Sequence, residues 1–315
     1  MERSDAVPTE RWAATEIEAP RRWTPVCRRW PVQLRWIAQP PQELWICGSQ
    51  PNDAPAIAIV GSRKATVSGL RVAFQISSEL SRRGFRIVSG LALGIDAAAL
   101  DGALLGGSET GGPAAAPLAL LGNGLPAIYP AANRPLARRI LSCGGALISE
   151  YPSGTAPRPY HFPRRNRLIS GWSVAVVVIE ATRRSGSMGT AQHALDQGCE
   201  VCAVPGPVDS ASHEGCHQLI RDGAHLVTCA RDIIEVCGGM GVGGSRFGLA
   251  GAAPVGLAVD VRRLDLERKQ HGDDLRRLHE VTGWSPVRLL RAWSGTTIET
   301  GVGQPSVSRS HQGQK

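Results

Sequence analysis

No run of about 18 apolar residues occurs in the 315 positions, so no helical membrane span is expected. The opening residues, MERSDAVPTERW, are charged and lack the apolar stretch of a secretory leader. No export signal is therefore expected, and the cytoplasm is the default compartment. The eight cysteines show no disulfide-framework spacing and suit reduced thiols. Cys199 and Cys202 have CxxC spacing, with Cys216 and His217 downstream. That pair falls in a segment that reads as a strand, where positions three apart face opposite ways, and no metal site is expected. The turn after the first clear strand is neither a GxGxxG nor a Walker loop, so it carries no dinucleotide or triphosphate signature.

What is present is ordinary for a globular chain: 42% hydrophobic and 20% charged residues, at a length that buries a full core. The net charge of +8 favours an acidic partner, nucleic acid before membrane, although a basic balance alone is not specific. The most informative stretch is residues 161–191. Positions 174–179 are an uninterrupted apolar run rich in β-branched residues, which reads as a strand buried on both faces. Glu180 ends it with a charge. Ser185, Gly186, Ser187 and Thr190 then open a helical pattern whose free N–H groups and dipole favour an anion. Before the strand stand Arg164, Arg165, Asn166 and Arg167, expected in a polar loop. Ligands collect at the carboxyl ends of strands in such sheets, so an anion cradle beside cations is expected. Solvated arginines and a plain Gly/Ser cap fit the same residues.

Residues 56–237 alternate strand and helix, which predicts a doubly wound, mostly parallel α/β sheet. The first strand, 56–61, ends in Gly61, Ser62 and Arg63, and a helix opens after Thr66. That turn is a second candidate anion site, with Arg63 adding a full charge. The strand at 85–88 leads into Ser89, Gly90 and, four residues on, Gly94. The glycines permit close backbone approach, and Asp96 suits the first turn of the next helix. Asn133 is expected to cap a helix. Around this domain the chain reads as an irregular lead-in (1–55). A Gly/Ala/Pro-rich insertion (106–117), a Gly-rich linker (238–256), a short helical appendage (257–293) and a disordered tail (294–315) complete it. Five of the eight tryptophans lie between Trp12 and Trp45, suited to packing or to base stacking.

In combination, several of these motifs resemble the DNA-processing protein A (DprA/Smf) family. They are Phe162-Pro163-x-Arg165-Asn166-Arg167, the strand ending in Glu180-Ala181, Ser185-Gly186-Ser187-x-x-Thr190, the Ser89-to-Asp96 text, and Tyr129, Pro130, Asn133, Ser149, Glu150 and Pro152. The resemblance covers about residues 31–237 and implies an extended lead-in from Pro31 in which Leu34, Ile37 and Leu44 dock. It implies a Rossmann-like domain with a winged-helix-like remnant at 257–293 and a homodimer. It also implies single-stranded DNA binding at the Gly61-Ser62-Arg63 turn, at Ser89, Gly90 and Gly94, and at the 162–167 and 185–190 motifs. A RecA-type recombinase is the implied partner, loaded during natural transformation. The chain departs from the family pattern at Leu100, where a histidine is usual, and at His217, where an asparagine is usual. A lysine usually stands a few residues before Phe162; here Arg158 is expected to supply the charge.

No cofactor and no catalytic residue are expected. Arg63, Arg165, Arg167 and the helix N-termini at Thr66 and Ser187 are expected to hold phosphates, with Phe162 against a base. Two alternatives use the same fold: a sensor of a free nucleotide, and a nucleotide phosphoribohydrolase. The latter carries P-G-G-x-G-T-x-x-E at the equivalent turn; this chain has His193 in place of the glutamate, which leaves Glu180 and Asp96 as the remaining acids.

Overall fold

The apolar runs become the strands of one mixed sheet. The computed structural model describes residues 17–27, 30–51, 54–109 and 116–238. Its strands are β1 (Arg21–Trp23), β2 (Leu44–Gly48), β3 (Ala56–Gly61), β4 (Arg86–Ser89), β5 (Leu118–Leu121), β6 (Ala146–Ser149), β7 (Ala175–Ile179), β8 (Glu200–Ala203) and β9 (His225–Leu226). Its helices are α1 (Val67–Arg82), α2 (Ile95–Glu109), α3 (Arg134–Ser142), α4 (His161–Gly171), α5 (Gly186–Asp196), α6 (Glu214–Arg221) and α7 (Ala230–Val236). The strand order is β1-β2-β6-β5-β4-β3-β7-β8-β9. Every pairing from β6 through to β9 is parallel.

This is a Rossmann-like, doubly wound α/β fold. Ile57, Ile59, Ile87 and Val177 pack on one face with residues of α1, α2 and α7, and Ala119, Leu121 and Leu147 continue that face toward α3. The opposite face is covered by α4, α5 and α6. Because both faces are covered, the strands read as continuous hydrophobic runs rather than alternating ones. The chain winds outward from β3 through β6, and α4 carries it back to β7, beside β3. The strand order therefore reverses between β3 and β7, where such folds open a crevice at the carboxyl ends of the strands.

The lead-in differs from its irregular expectation. β1 pairs antiparallel with β2, and β2 pairs antiparallel with β6. Leu44, Ile46 and Cys47 are buried, and burying them on the sheet edge satisfies the backbone of β2 at the same time. Leu34, Ile37 and Leu44 are buried as expected. The first two seat on Gly171 at the end of α4, where a Cβ would lie 2.7 Å from Ile37 Cγ2. Trp23 and Trp30 are buried too, so they pack rather than offer a stacking surface. Asn133 stands at the N-cap position of α3 without capping it. Its amide instead donates to the Leu91 and Ala92 carbonyls at 2.9 and 3.1 Å, tying the β4–α2 turn to α3. Of the expected insertion, α2 claims the part through Glu109. Residues 110–115, the linker from 239, the appendage (257–293) and the tail (294–315) lie outside the described residues.

Candidate nucleic-acid interface

The motif Phe162–Arg167 forms the first two turns of helix α4, not a polar loop. Helical geometry then separates its cations, since successive residues point about 100° apart. Arg165 turns inward and is only 4% exposed. Its Nη1 donates to the Gly90 carbonyl at 2.8 Å and to the Leu120 carbonyl, and its Nε reaches Asn166 Oδ1 at 3.4 Å. Burial pushes the guanidinium pKa down to about 10, and the charge of Asp96 opposes that fall. Asp96 is buried as well; burial raises its pKa, while the charge of Arg165 and the N–H groups of Gly90 (3.0 Å) and Ala92 (3.4 Å) act against the rise. Gly90 is where the strand end meets this arginine, and a Cβ there would lie 2.5 Å from Arg165 Nη2.

Arg167 is also internal. Its guanidinium grips Glu150 with two bonds, 2.9 and 2.5 Å, and its Nε donates to the Gln39 carbonyl at 3.0 Å. The Asn166 amide donates to the Gly186 carbonyl at 3.1 Å, fixing α4 to the start of α5. The expectation that Arg165 and Arg167 reach out to phosphate is thus corrected. Their donors are used on internal carbonyls and a carboxylate, because an unpaired buried guanidinium would be costly. Ser89 is internal in the same way, its hydroxyl donating to the Ile59 carbonyl at 2.7 Å.

What faces outward from the carboxyl ends of the strands is aromatic. Arg63 is exposed after β3, with its guanidinium carbon 5.4 Å from the Phe162 ring centroid. Phe162 meets Tyr129 at 5.6 Å with a 38° tilt. Tyr160, 62% exposed, stands edge-on to His161 at 4.6 Å, and His161 stacks on Tyr151 at 4.0 Å. His161 Nδ1–H donates to the Gly122 carbonyl at 3.0 Å, and burial holds its pKa below the usual 6.5. A Cβ at Gly122 would lie 2.9 Å from Phe162, so the bare glycine lets the ring lie on the end of β5. Arg158 and Arg164 are exposed alongside. The result is an aromatic ledge of Tyr129 and Phe162 with the Arg63 guanidinium beside it, while Tyr160 stands exposed at the start of α4. Sequence reasoning found Phe162, Arg63 and Arg158 but missed Tyr129 and Tyr160, which read as a turn and a proline-rich connection. The available signal was that all three tyrosines of the chain lie between 129 and 160.

The two candidate helix N-termini behave differently. At α5, Ser185 accepts from Ser187 N–H at 3.3 Å, and exposed Gly186 has nothing within 4 Å of where a Cβ would stand, so this end is open. Ser187 and Thr190 are buried behind it. At α1 the end is closed: the Thr66 N–H donates to Glu180 Oε2 at 2.8 Å and the Thr66 hydroxyl donates to Oε1. The expected phosphate site at Thr66 therefore already holds a carboxylate. Between these ends, the Ser62 carbonyl accepts from Ile95 N–H at 3.1 Å. Gly94, at φ 78°, lies so close to that carbonyl that a Cβ would stand 2.2 Å from it. Glu180 and Asp96, the two acids left open to an enzymatic role, are thus both tied to backbone N–H groups. Leu100 is part of the apolar core, and His217 Nε2 pairs with the Gly206 carbonyl at 3.0 Å.

Residues 22–238 match the family model described as DNA recombination-mediator protein A. The chain is 47% identical over 179 residues to Protein Smf of Escherichia coli, covering 57% of this chain and 46% of that protein. It is 40% identical over 253 residues to a putative DNA processing protein DprA of Mycobacterium tuberculosis, covering 76% and 61%. It thus spans about half to three fifths of the length of these two relatives. The crystal structure of DNA processing protein A from Streptococcus pneumoniae superposes with a TM-score of 0.62 at 34% identity, covering 70% of this chain and 75% of that one. A structure of the Helicobacter pylori protein, described for its single-stranded DNA binding mode, superposes with a TM-score of 0.59 at 26% identity, covering 69% and 95%.

Proposed function

Since the chain belongs to the DNA recombination-mediator protein A family, we propose that its aromatic ledge binds single-stranded DNA without catalysing a reaction on it. Bases stack on Phe162, Tyr129 and Tyr160, and phosphates lie against Arg63, Arg158, Arg164 and the open α5 end at Gly186. Arg165, Asn166 and Arg167 hold this surface in shape rather than touch the strand. The observation that carries the reading is Arg63 poised over Phe162 beside the outward Tyr129 at the carboxyl ends of the strands. Stacking on such rings contributes about 1–3 kcal/mol per base and needs unpaired bases, so duplex binds poorly. Stacking faces and charges directed at phosphates carry little sequence information, so base preference is small. Family kinship further supports a cytoplasmic homodimer that hands the strand to a RecA-type recombinase during DNA uptake.

Titration of labelled single- and double-stranded oligonucleotides at several salt concentrations tests this. Single strands should be preferred, and each phosphate held should steepen log K against log salt by about 0.7. A salt-insensitive affinity, or equal affinity for duplex, would overturn it. Competition by mononucleotide as effective as by oligonucleotide would favour a nucleotide sensor, and release of free base from nucleoside monophosphates would favour an enzyme.

A further inference from the structure

In a doubly wound sheet, the crevice at the switch point and the N-terminus of the helix after the first strand form the place where a nucleotide phosphate settles. Here that place is filled from within. Glu180 follows β7 directly and takes a left-handed backbone, φ 51°, which a non-glycine residue keeps only where its surroundings over-determine it. The turn swings its carboxylate across to α1, where it is 1% exposed. One oxygen accepts the Thr66 N–H and the other the Thr66 hydroxyl. His213 Nε2 lies 3.9 Å from the second oxygen. Gly69, in the first turn of α1, makes room: a Cβ there would stand 2.4 Å from the carboxylate carbon. Backbone N–H, hydroxyl, imidazole and the positive end of a 16-residue helix thus converge on one buried anion.

We propose that Glu180 is a tethered anion standing in the fold's phosphate position, and that it sets the ligand class by exclusion. Inorganic phosphate and free mononucleotides are kept from the α1 side of the switch-point crevice, and only the outer ledge and the open α5 end are left to bind. A second anion could enter only beside a buried like charge, at the expense of the donors that Glu180 already holds. The inference does not rest on what the ledge binds.

Glu180→Gly tests it, because glycine adopts this backbone freely and leaves the Thr66 N–H and the helix end open. Glu180→Gln is the control that keeps the volume. Melting is followed in about 20 mM inorganic phosphate against chloride of equal ionic strength. If the opened site binds phosphate with a Kd of about 1 mM, Glu180→Gly should gain about 4 °C or more, while the wild type and Glu180→Gln move by less than about 1 °C. Titration calorimetry with adenosine monophosphate should show heat of binding for Glu180→Gly alone. If Glu180→Gly is unfolded in chloride, phosphate should restore the fold. A wild type that gains as much as the variant, a folded variant that gains nothing, or an unfolded one that phosphate does not rescue would each overturn the proposal. Failure of oligonucleotide binding by the wild type would refute the DNA reading and leave this one standing.

Discussion

Replacing Arg165 with lysine separates scaffold from contact. The guanidinium serves the Gly90 and Leu120 carbonyls and Asn166 Oδ1 from one planar fork. A single ammonium on a flexible stem cannot reproduce that fork. Bonds to a charged donor contribute about 1.5–3 kcal/mol each, so losing one or two of the three costs about 2–4 kcal/mol. For a domain of this size that is a fall of about 5–15 °C in Tm. Burial already draws the arginine pKa down to about 10, and a lysine starting lower would be drawn toward the neutral form, weakening what remains. Arg63→Lys is the matched surface change. Arg63 is exposed, so Tm should stay within about 1 °C, while affinity for a single-stranded oligonucleotide falls about 2- to 5-fold through loss of the cation–π face. Scanning calorimetry and fluorescence anisotropy on both variants give the two readouts. An Arg165→Lys protein with unchanged Tm and weakened DNA binding would refute the assignment, and would return Arg165 to the ligand side of the interface.

Arg167→Ala should destabilise by about 2–4 kcal/mol in urea unfolding, because it removes both charged bonds to Glu150 and leaves that carboxylate only Arg164, 3.6 Å away. Gly69→Ala should lower stability despite the helix preference for alanine of about 1 kcal/mol, since the added methyl meets the Glu180 carboxylate; a Tm at or above wild type would contradict the packing. Phe162→Ala combined with Tyr160→Ala should cost about 2–4 kcal/mol of oligonucleotide affinity, read by anisotropy. His161 and His193 both have pKa values held below 6.5 by burial, so the unfolded chain takes up their protons first. Their stabilising contribution is full above about pH 6.5 and is lost as pH falls through that value toward the folded pKa. Melting between about pH 7.5 and pH 5.5 should show that loss, and His161→Asn, which keeps a donor for the Gly122 carbonyl, should reduce it.

The sequence by itself determined the strand and helix alternation. β-branched apolar runs such as that of β7 are stable only when buried on both faces, and the turns between them hold the small residues that close approach demands. Gly90 and Gly94 were legible for that reason; docking of Leu34, Ile37 and Leu44 came from the family resemblance, and the pairing of β1 and β2 was not legible, because three- and five-residue strands carry almost no periodicity. Charge was legible as a cluster but not as a direction. In the Arg164–Arg167 run, helix rotation points Arg164 to solvent and turns Arg165 and Arg167 onto internal oxygens supplied by Gly90 after β4, by β5 and by residues 39 and 150. Those oxygens lie up to 128 residues away in the chain. Tyr129 meets Phe162 because α4 starts at the end of β5, where Gly122 leaves room for the ring. Glu180 read as a strand terminator; only its left-handed turn across the β3–β7 boundary makes it the anion of α1. A residue's type fixes what it can bond to, but the surrounding fold decides whether that capacity is spent inside or left for a ligand.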